Sequence, residues 1–206
     1  MNDAITFLND YCAFDDPNCV WIMKGISRTK DNENSPDMHQ FLRRMVLTSP
    51  EDIQKCYDEI HLVANDPKTT YRIYISLNSR DAVDAAFQFQ KKLVDITQGL
   101  AKRHDDALAL SKKIGSLWKT ELEQKHARGT KRLLLDIDVI DEMIAKDLLR
   151  YLQDKAKATI RAFRKTPNGF AIVFDACDTR GLIKYYEERH IDCSLQRDSM
   201  LFVEQF

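Results

Sequence analysis

The sequence predicts an α+β fold: a split βαβ (RRM-like) palm in residues 130–206, behind an N-terminal α/β lobe with two long helices in residues 1–129. Three observations predict it. The trailing half runs strand, helix, strand, strand, helix, strand. Thr166-Pro167-Asn168-Gly169 is a tight turn, with Pro presetting one dihedral and Gly able to take positive φ, so the strands on either side return antiparallel. One strand of that half, Lys131-Arg132-Leu133-Leu134-Leu135-Asp136-Ile137-Asp138, ends in two acids.

The leading half begins with a short strand at Cys19-Val20-Trp21-Ile22-Met23, followed by a polar stretch, Arg28–Asp37, that has nothing to bury and reads as a mobile loop. Phe41–Leu47 is a second strand. Ser49-Pro50-Glu51-Asp52 starts a helix, with Ser as cap, Pro at the first position and acids in the first turn. Ile53, Cys56, Tyr57, Ile60 and Val63 give that helix one apolar face. Tyr71–Leu77 alternates as a strand should. Two long helical patterns follow, one striped by Val83, Ala86, Phe87, Leu93, Ile96 and Leu100, the other by Leu108, Ile114, Leu117, Trp118 and Leu122, before His126-Ala127-Arg128-Gly129 breaks the second.

In the trailing half, strand 131–137 leads to a helix with Ile140, Met143, Ile144, Leu148, Tyr151 and Leu152 at helical spacing. Strands 158–164 and 170–174 flank the turn, Asp178 caps a short helix through about Glu188, and residues 191–204 supply one or two closing strands. In a split βαβ unit strands 131–137 and 170–174 are neighbours at the sheet centre.

Asp136 and Asp138 are two apart, so strand alternation points both carboxylates the same way. An apolar strand carrying two like charges on one face needs a positive partner, and a divalent cation, Mg²⁺ or Mn²⁺, suits carboxylate oxygen. Asp138 has a second account as the cap of the following helix, which leaves Asp136 unexplained. Paired carboxylates on such a sheet are what two-metal phosphoryl transfer requires. Asp192 and Asp198 are the candidates for a third acid, Asp198 also reading as a turn residue.

These residues carry a resemblance. Leu133–Asp138 is similar to the first motif of the archaeo-eukaryotic primase superfamily, hydrophobics then Asp-x-Asp. Thr166-Pro167-Asn168-Gly169-Phe170-Ala171 is similar to its second motif, and Ile191-Asp192 to its third. The resemblance covers about residues 130–206. It implies a metal-dependent nucleotidyltransferase of primase-polymerase kind, with Asp136, Asp138 and Asp192 catalytic and metal-binding and Asp198 as an alternative ligand. Single-stranded nucleic acid and nucleoside triphosphates would be its partners, a replication helicase a further one, and a phage or plasmid its source. The family's nucleotide-binding histidine is Ala171 here, so Arg161, Arg164 or Lys165 would have to receive the nucleotide phosphates, beside Asn168 and Gly169 of the turn. Lys24, Arg28 and Lys30, with Arg43 and Arg44 nearby, form a basic cluster suited to a template backbone, although a charged loop is usually just solvated.

Three other readings compete. A haloacid-dehalogenase-like phosphatase would also use Asp136 and Asp138, but Ile140 stands where that family has Thr, and too little chain remains for its parallel sheet. A metal-dependent nuclease would want an acid-x-Lys strand that 158–174 lacks. A catalytically degenerate palm that binds nucleic acid or a protein partner needs no metal, and Phe163, Phe170, Tyr185 and Tyr186 offer it aromatic faces. Composition narrows the setting. The net charge of -1 gives no global pull toward nucleic acid or anionic lipid, so contact with either needs a local patch. No apolar stretch approaches the ~20 residues of a membrane span. Five scattered cysteines without Cys-x-x-Cys point away from a disulfide framework or zinc site and toward a reducing cytoplasm, the host's for a viral protein.

Overall fold

The computed structural model describes residues 3–28, 31–32, 41–64, 66–103 and 107–206. Most of the polar loop expected over 28–37, Lys30 included, lies outside them. The fold is mixed α+β, with six helices and two antiparallel sheets among the described residues.

The first sheet has the order β2-β1-β3-β9, built from β1 (Cys19–Ser27), β2 (Phe41–Leu47), β3 (Tyr71–Ser76) and β9 (Met200–Gln205), with the short β4 (Arg80–Asp81) paired to β1. The second has the order β6-β7-β5-β8, from β5 (Arg132–Ile137), β6 (Ile160–Thr166), β7 (Gly169–Asp175) and β8 (Cys193–Gln196). β5 lies beside β7 at its centre, Asp136 opposite Ala171. The closing strands expected together at 191–204 part company: β8 pairs β5, whereas β9 crosses the expected boundary at residue 130 and pairs β3. Residues 197–199 carry the chain from β8 to β9, and the Ser199 carbonyl accepts from the Leu77 amide at 2.9 Å, which joins the start of β9 to the end of β3.

Helix α1 (Asp3–Tyr11) has no counterpart in the sequence reading; Ala4, Ile5, Leu8 and Tyr11 bury one face of it. Helix α2 (Glu51–Val63) starts as expected, but Ser49 does not cap it. The Asp52 carboxylate instead receives the Thr48 and Ser49 amides at 2.8 and 3.2 Å. These two helices, the Met23/Ile73/Ile75 face of the first sheet, Leu201 and Val203 of β9, and Leu134, Ala171 and Val173 of the second sheet share one core. The opposite face of the second sheet, with Leu135, Ile137, Ile172 and Phe174, buries α5 (Glu142–Asp154) and α6 (Arg180–Glu188). Alternation along β5 thus sends odd positions to the helices and even positions to the other side.

The long pair α3 (Ala82–Arg103) and α4 (Ala107–Leu122) covers Val20 and Ile22 of β1. The stripe expected on α3 is only partly used. Val83 and Phe87 are exposed, while Ala85 is buried and Phe89 meets Trp118 edge-on at 6.1 Å. Ile140 and Met143, expected in the apolar face of α5, are each 75% exposed. That helix begins only at Glu142, so both precede or open it and lie off its buried side.

Candidate active site

A cleft of about 590 Å³ opens between the two sheets. On one wall stand Asp136 and Asp138, with Asn168 from the β6–β7 turn and Gln196 from β8; on the other stand Arg28, Arg72, Tyr74 and Phe202. The pairing register explains the first wall. Leu134 is opposite Gln196 and Asp136 opposite Ser194, and residues facing one another across an antiparallel pair share a side. Gln196 donates to Asp136 at 3.4 Å and to Ser194 at 3.3 Å, which orients the amide beside the acid. The second wall follows from β1, β3 and β9, where Ile26 faces Arg72 and Tyr74 faces Phe202.

The capping account of Asp138 does not hold. The cap of α5 is Asp141, whose carboxylate accepts from the Met143 amide at 2.8 Å. Asp138 is exposed just past β5, its own amide bonded to the Asp192 carbonyl at 3.0 Å. Asp192 therefore sits next to the pair in register, with an exposed side chain of its own. The neighbouring Cys193 thiol records this charge: burial pushes it up to about 11, and Asp192 and Asp138 add to the effect. Among the described residues no group of three or more His, Cys, Asp or Glu is close enough to hold a metal. Asp136 and Asp138 still fit Mg²⁺ or Mn²⁺ by donor chemistry, because Mg²⁺ is commonly held by one or two carboxylates plus substrate phosphate and water.

Asp198 is not a ligand in waiting. Its carboxylate takes the buried Arg80 guanidinium at 2.6 Å and Arg128 at 3.4 Å, which ties the β8–β9 turn to the start of α3. The basic residues expected around the nucleotide are likewise placed elsewhere. Arg161 is locked to Asp175 by two hydrogen bonds of 2.8 and 2.6 Å at the far end of β6–β7. Arg164 is on the correct side but half-buried, donating to the Val203 carbonyl at 2.8 Å and stacked over Phe7 at 3.9 Å, and desolvation pulls its pKa down. Lys165 pairs in register with Phe170, on the helix side, where it acts on Glu142. Asn168 lines the cleft, while Gly169 shapes it. A Cβ at Gly169 would fall on the Ile137 carbonyl oxygen, so only glycine lets the turn close on the end of β5. Ala171 is 3% exposed within the core and does not line the cleft.

Of the basic cluster, Arg28 lines the cleft and reaches the Tyr74 hydroxyl at 3.4 Å. Lys24 lies beside it but is ion-paired to Glu123 at 2.9 Å, and Lys30 is outside the described residues. Arg44 is held by the same Glu123 and Arg43 by Glu59. Phe163 and Phe170 stack on each other at 5.7 Å, and Tyr185 and Tyr186 pack with α5 and α6 on the helix side, away from the cleft. The cleft's own aromatics and its buried cation, Tyr74, Phe202 and Arg72, were not singled out in the sequence. Arg72 is 4% exposed, paired to Asp31 at 2.5 Å and 6.0 Å from the Phe202 ring. Alternation along Tyr71–Ser76 could have marked Arg72 and Tyr74 as sharing a face.

Comparison with protein-family models, with characterised proteins and with solved structures finds no match for this chain.

Proposed function

We propose that the chain is a metal-dependent nucleotidyltransferase acting on nucleic acid, similar to the primase-polymerases, and that its second sheet with α5 and α6 is a split-βαβ palm. The observation that carries this reading is the cleft itself, where two same-facing carboxylates look across at two arginines and two aromatic rings. Asp136 and Asp138, with Asp192 beside them in register, would hold Mg²⁺ or Mn²⁺. When bound, the metal supplies charge neutralisation and activation of a 3′-hydroxyl. Arg28 and Arg72 stand where a triphosphate facing those acids would bring its charge, and the guanidinium fork suits phosphate oxygens. Tyr74 and Phe202, edge to face at 5.9 Å, offer a platform for a base. Asn168, at the mouth of the turn, and the close approach enforced by Gly169 set the width of the site. A volume of about 590 Å³ falls in the range that takes a whole nucleotide-sized ligand, about 300–1,000 Å³.

A second reading is favoured by specific observations. Ala171 is in the core, and Arg161, Arg164 and Lys165 do not reach the cleft, so the expected phosphate receivers of the resemblance are missing. A palm that binds single strands without extending them is the alternative. One assay separates the two: single-stranded template and primer, labelled nucleoside triphosphates and Mn²⁺, with wild type and Asp136→Ala. Extension by wild type that the substitution abolishes supports the enzyme. No extension by wild type, with single-stranded DNA still shifted in a gel, establishes the binding module.

A further inference from the structure

At the opposite end of β5 from its two acids lies a second cavity, of about 210 Å³, lined by Arg128, Lys131, Arg132 and Arg197 with Cys177 and Thr179. No carboxylate is among its described lining residues. The acids nearby are already committed. Asp198 is held by Arg80 and Arg128, Asp175 by Arg161 and Asp178 by Arg180, each with one contact of 2.6 Å. Lys131, Arg132 and Arg197 have no ion-pair partner among the described residues. Arg132 is also fixed in place, 8% exposed, donating to the Tyr11 carbonyl at 3.3 Å and lying over the Tyr11 and Trp21 rings. The Thr179 hydroxyl makes no capping bond to α6 and adds a neutral donor.

Lys131 and Arg197 bring two uncompensated positive charges to this small cavity beside Arg128, while the Arg132 guanidinium is turned against Tyr11 and Trp21, and an anion would offset the repulsion between the two. The cavity lies below the ~300 Å³ at which sites for whole drug-sized ligands begin, so it admits a phosphate group rather than a nucleotide. It is separated from Asp138 by six residues of β5, roughly 20 Å of strand. We propose that this pocket binds a backbone phosphate of a single-stranded nucleic acid whose other end enters the cleft. The choice of a strand over free phosphate rests on the function proposed above; the anion chemistry of the pocket does not.

Cys177, in the pocket wall, is the reporter. The protein is alkylated with N-ethylmaleimide in EDTA, without nucleotides, in the presence of a twelve-residue oligothymidylate or of inorganic phosphate, and each cysteine is read by peptide mass spectrometry. In parallel, anisotropy of the labelled oligonucleotide gives affinity against salt. The oligonucleotide is expected to slow alkylation of Cys177 and not of Cys19. Lys131→Ala/Arg197→Ala, which alters only exposed side chains, is expected to lose that protection and to flatten the salt slope by about 0.7 for each phosphate contact removed. Lys131→Arg/Arg197→Lys restores both. Protection by inorganic phosphate but not by the oligonucleotide overturns the strand proposal in favour of a free-phosphate site, and no protection by either overturns the pocket as an anion site. Because neither readout involves catalysis, a chain that never extends a primer still gives an answer here.

Discussion

The wall of the cleft formed by β5, β8 and the β6–β7 turn presents acids and amides, and the wall formed by β1, β3 and β9 presents guanidinium groups and aromatic rings. Their charges are handled differently. On the basic wall Arg72 is buried and neutralised from within, by Asp31, so that it is positioned before any ligand arrives. On the acidic wall Asp138 is exposed and has no ion pair among the described residues. Under the function proposed above, the wall held rigid from within would position the phosphates, and the exposed Asp138 would meet the metal.

The largest expected effect comes from removing the acidic wall. Asp136→Ala/Asp138→Ala should abolish Mn²⁺ binding by calorimetry and lower any extension rate roughly 10³-fold, the scale of one lost electrostatic component of a transition state. Equal weak Mn²⁺ binding by wild type and variant would show the acids to be structural and erase the contrast between the walls.

Asp198 supplies the internal control, an acid of the same region that the fold does neutralise. Arg80→Met leaves that carboxylate, 14% exposed, with only the longer Arg128 contact. Breaking a buried pair from one side costs about 3 kcal/mol. For a chain of this size that lowers the melting temperature by roughly 6–12 °C. Mn²⁺ binding should be unchanged. A loss of Mn²⁺ affinity with the fold intact would instead return Asp198 to the site.

The acidic wall was legible in the sequence and the basic wall was not, for a physical reason. Two carboxylates at the end of an apolar run violate the ordinary pattern of a strand, so Asp136 and Asp138 stand out from the string alone. Arg72 and Tyr74 violate nothing, since a strand with polar residues on alternate positions is what any half-exposed sheet shows. What turns them into a site is the handing of β9 to the first sheet, which brings that sheet's open face against Asp136. That pairing joins residues 71–76 to 200–205, a long-range choice that local periodicity does not encode. The same limit misplaced Arg161, Arg164 and Lys165. Their strand, expected over 158–164, runs over Ile160–Thr166; Lys165 faces the helices, Arg161 is taken by Asp175, and Arg164, on the side of the cleft, is bonded to the Val203 carbonyl, long-range contacts that no residue type announces. The glycine of the β6–β7 turn was expected for another reason: it takes no positive φ, and what demands it is the close approach of the Ile137 carbonyl.

A smaller effect tests the aromatic part of the basic wall. Tyr74→Ala removes one face of the base platform and should weaken binding of a short single strand by about 1–2 kcal/mol, roughly tenfold, at any salt concentration. Anisotropy at two ionic strengths checks it. A loss that vanishes in high salt would mean that Tyr74 acts only by steadying Arg28, whose guanidinium it contacts.

The smallest effect belongs to Asp175, which shares its side of the second sheet with Asp136 but has its cation built in. The hydrogen bonds from Arg161 hold its carboxyl below the ordinary value of 3.8. A lowered folded-state pKa stabilises the protein above the unfolded-state value, and this contribution is lost as pH falls through the folded one. Arg161→Ala should therefore destabilise the protein at neutral pH, with the gap to wild type closing below about pH 4. Because the two side chains are 47% and 39% exposed, solvent screening keeps the neutral-pH difference to about 0.5 kcal/mol. Urea melts of both proteins at pH 7 and under acid conditions measure it. A gap that persisted unchanged in acid would show that Arg161 stabilises this end of the sheet by packing rather than by its charge on Asp175.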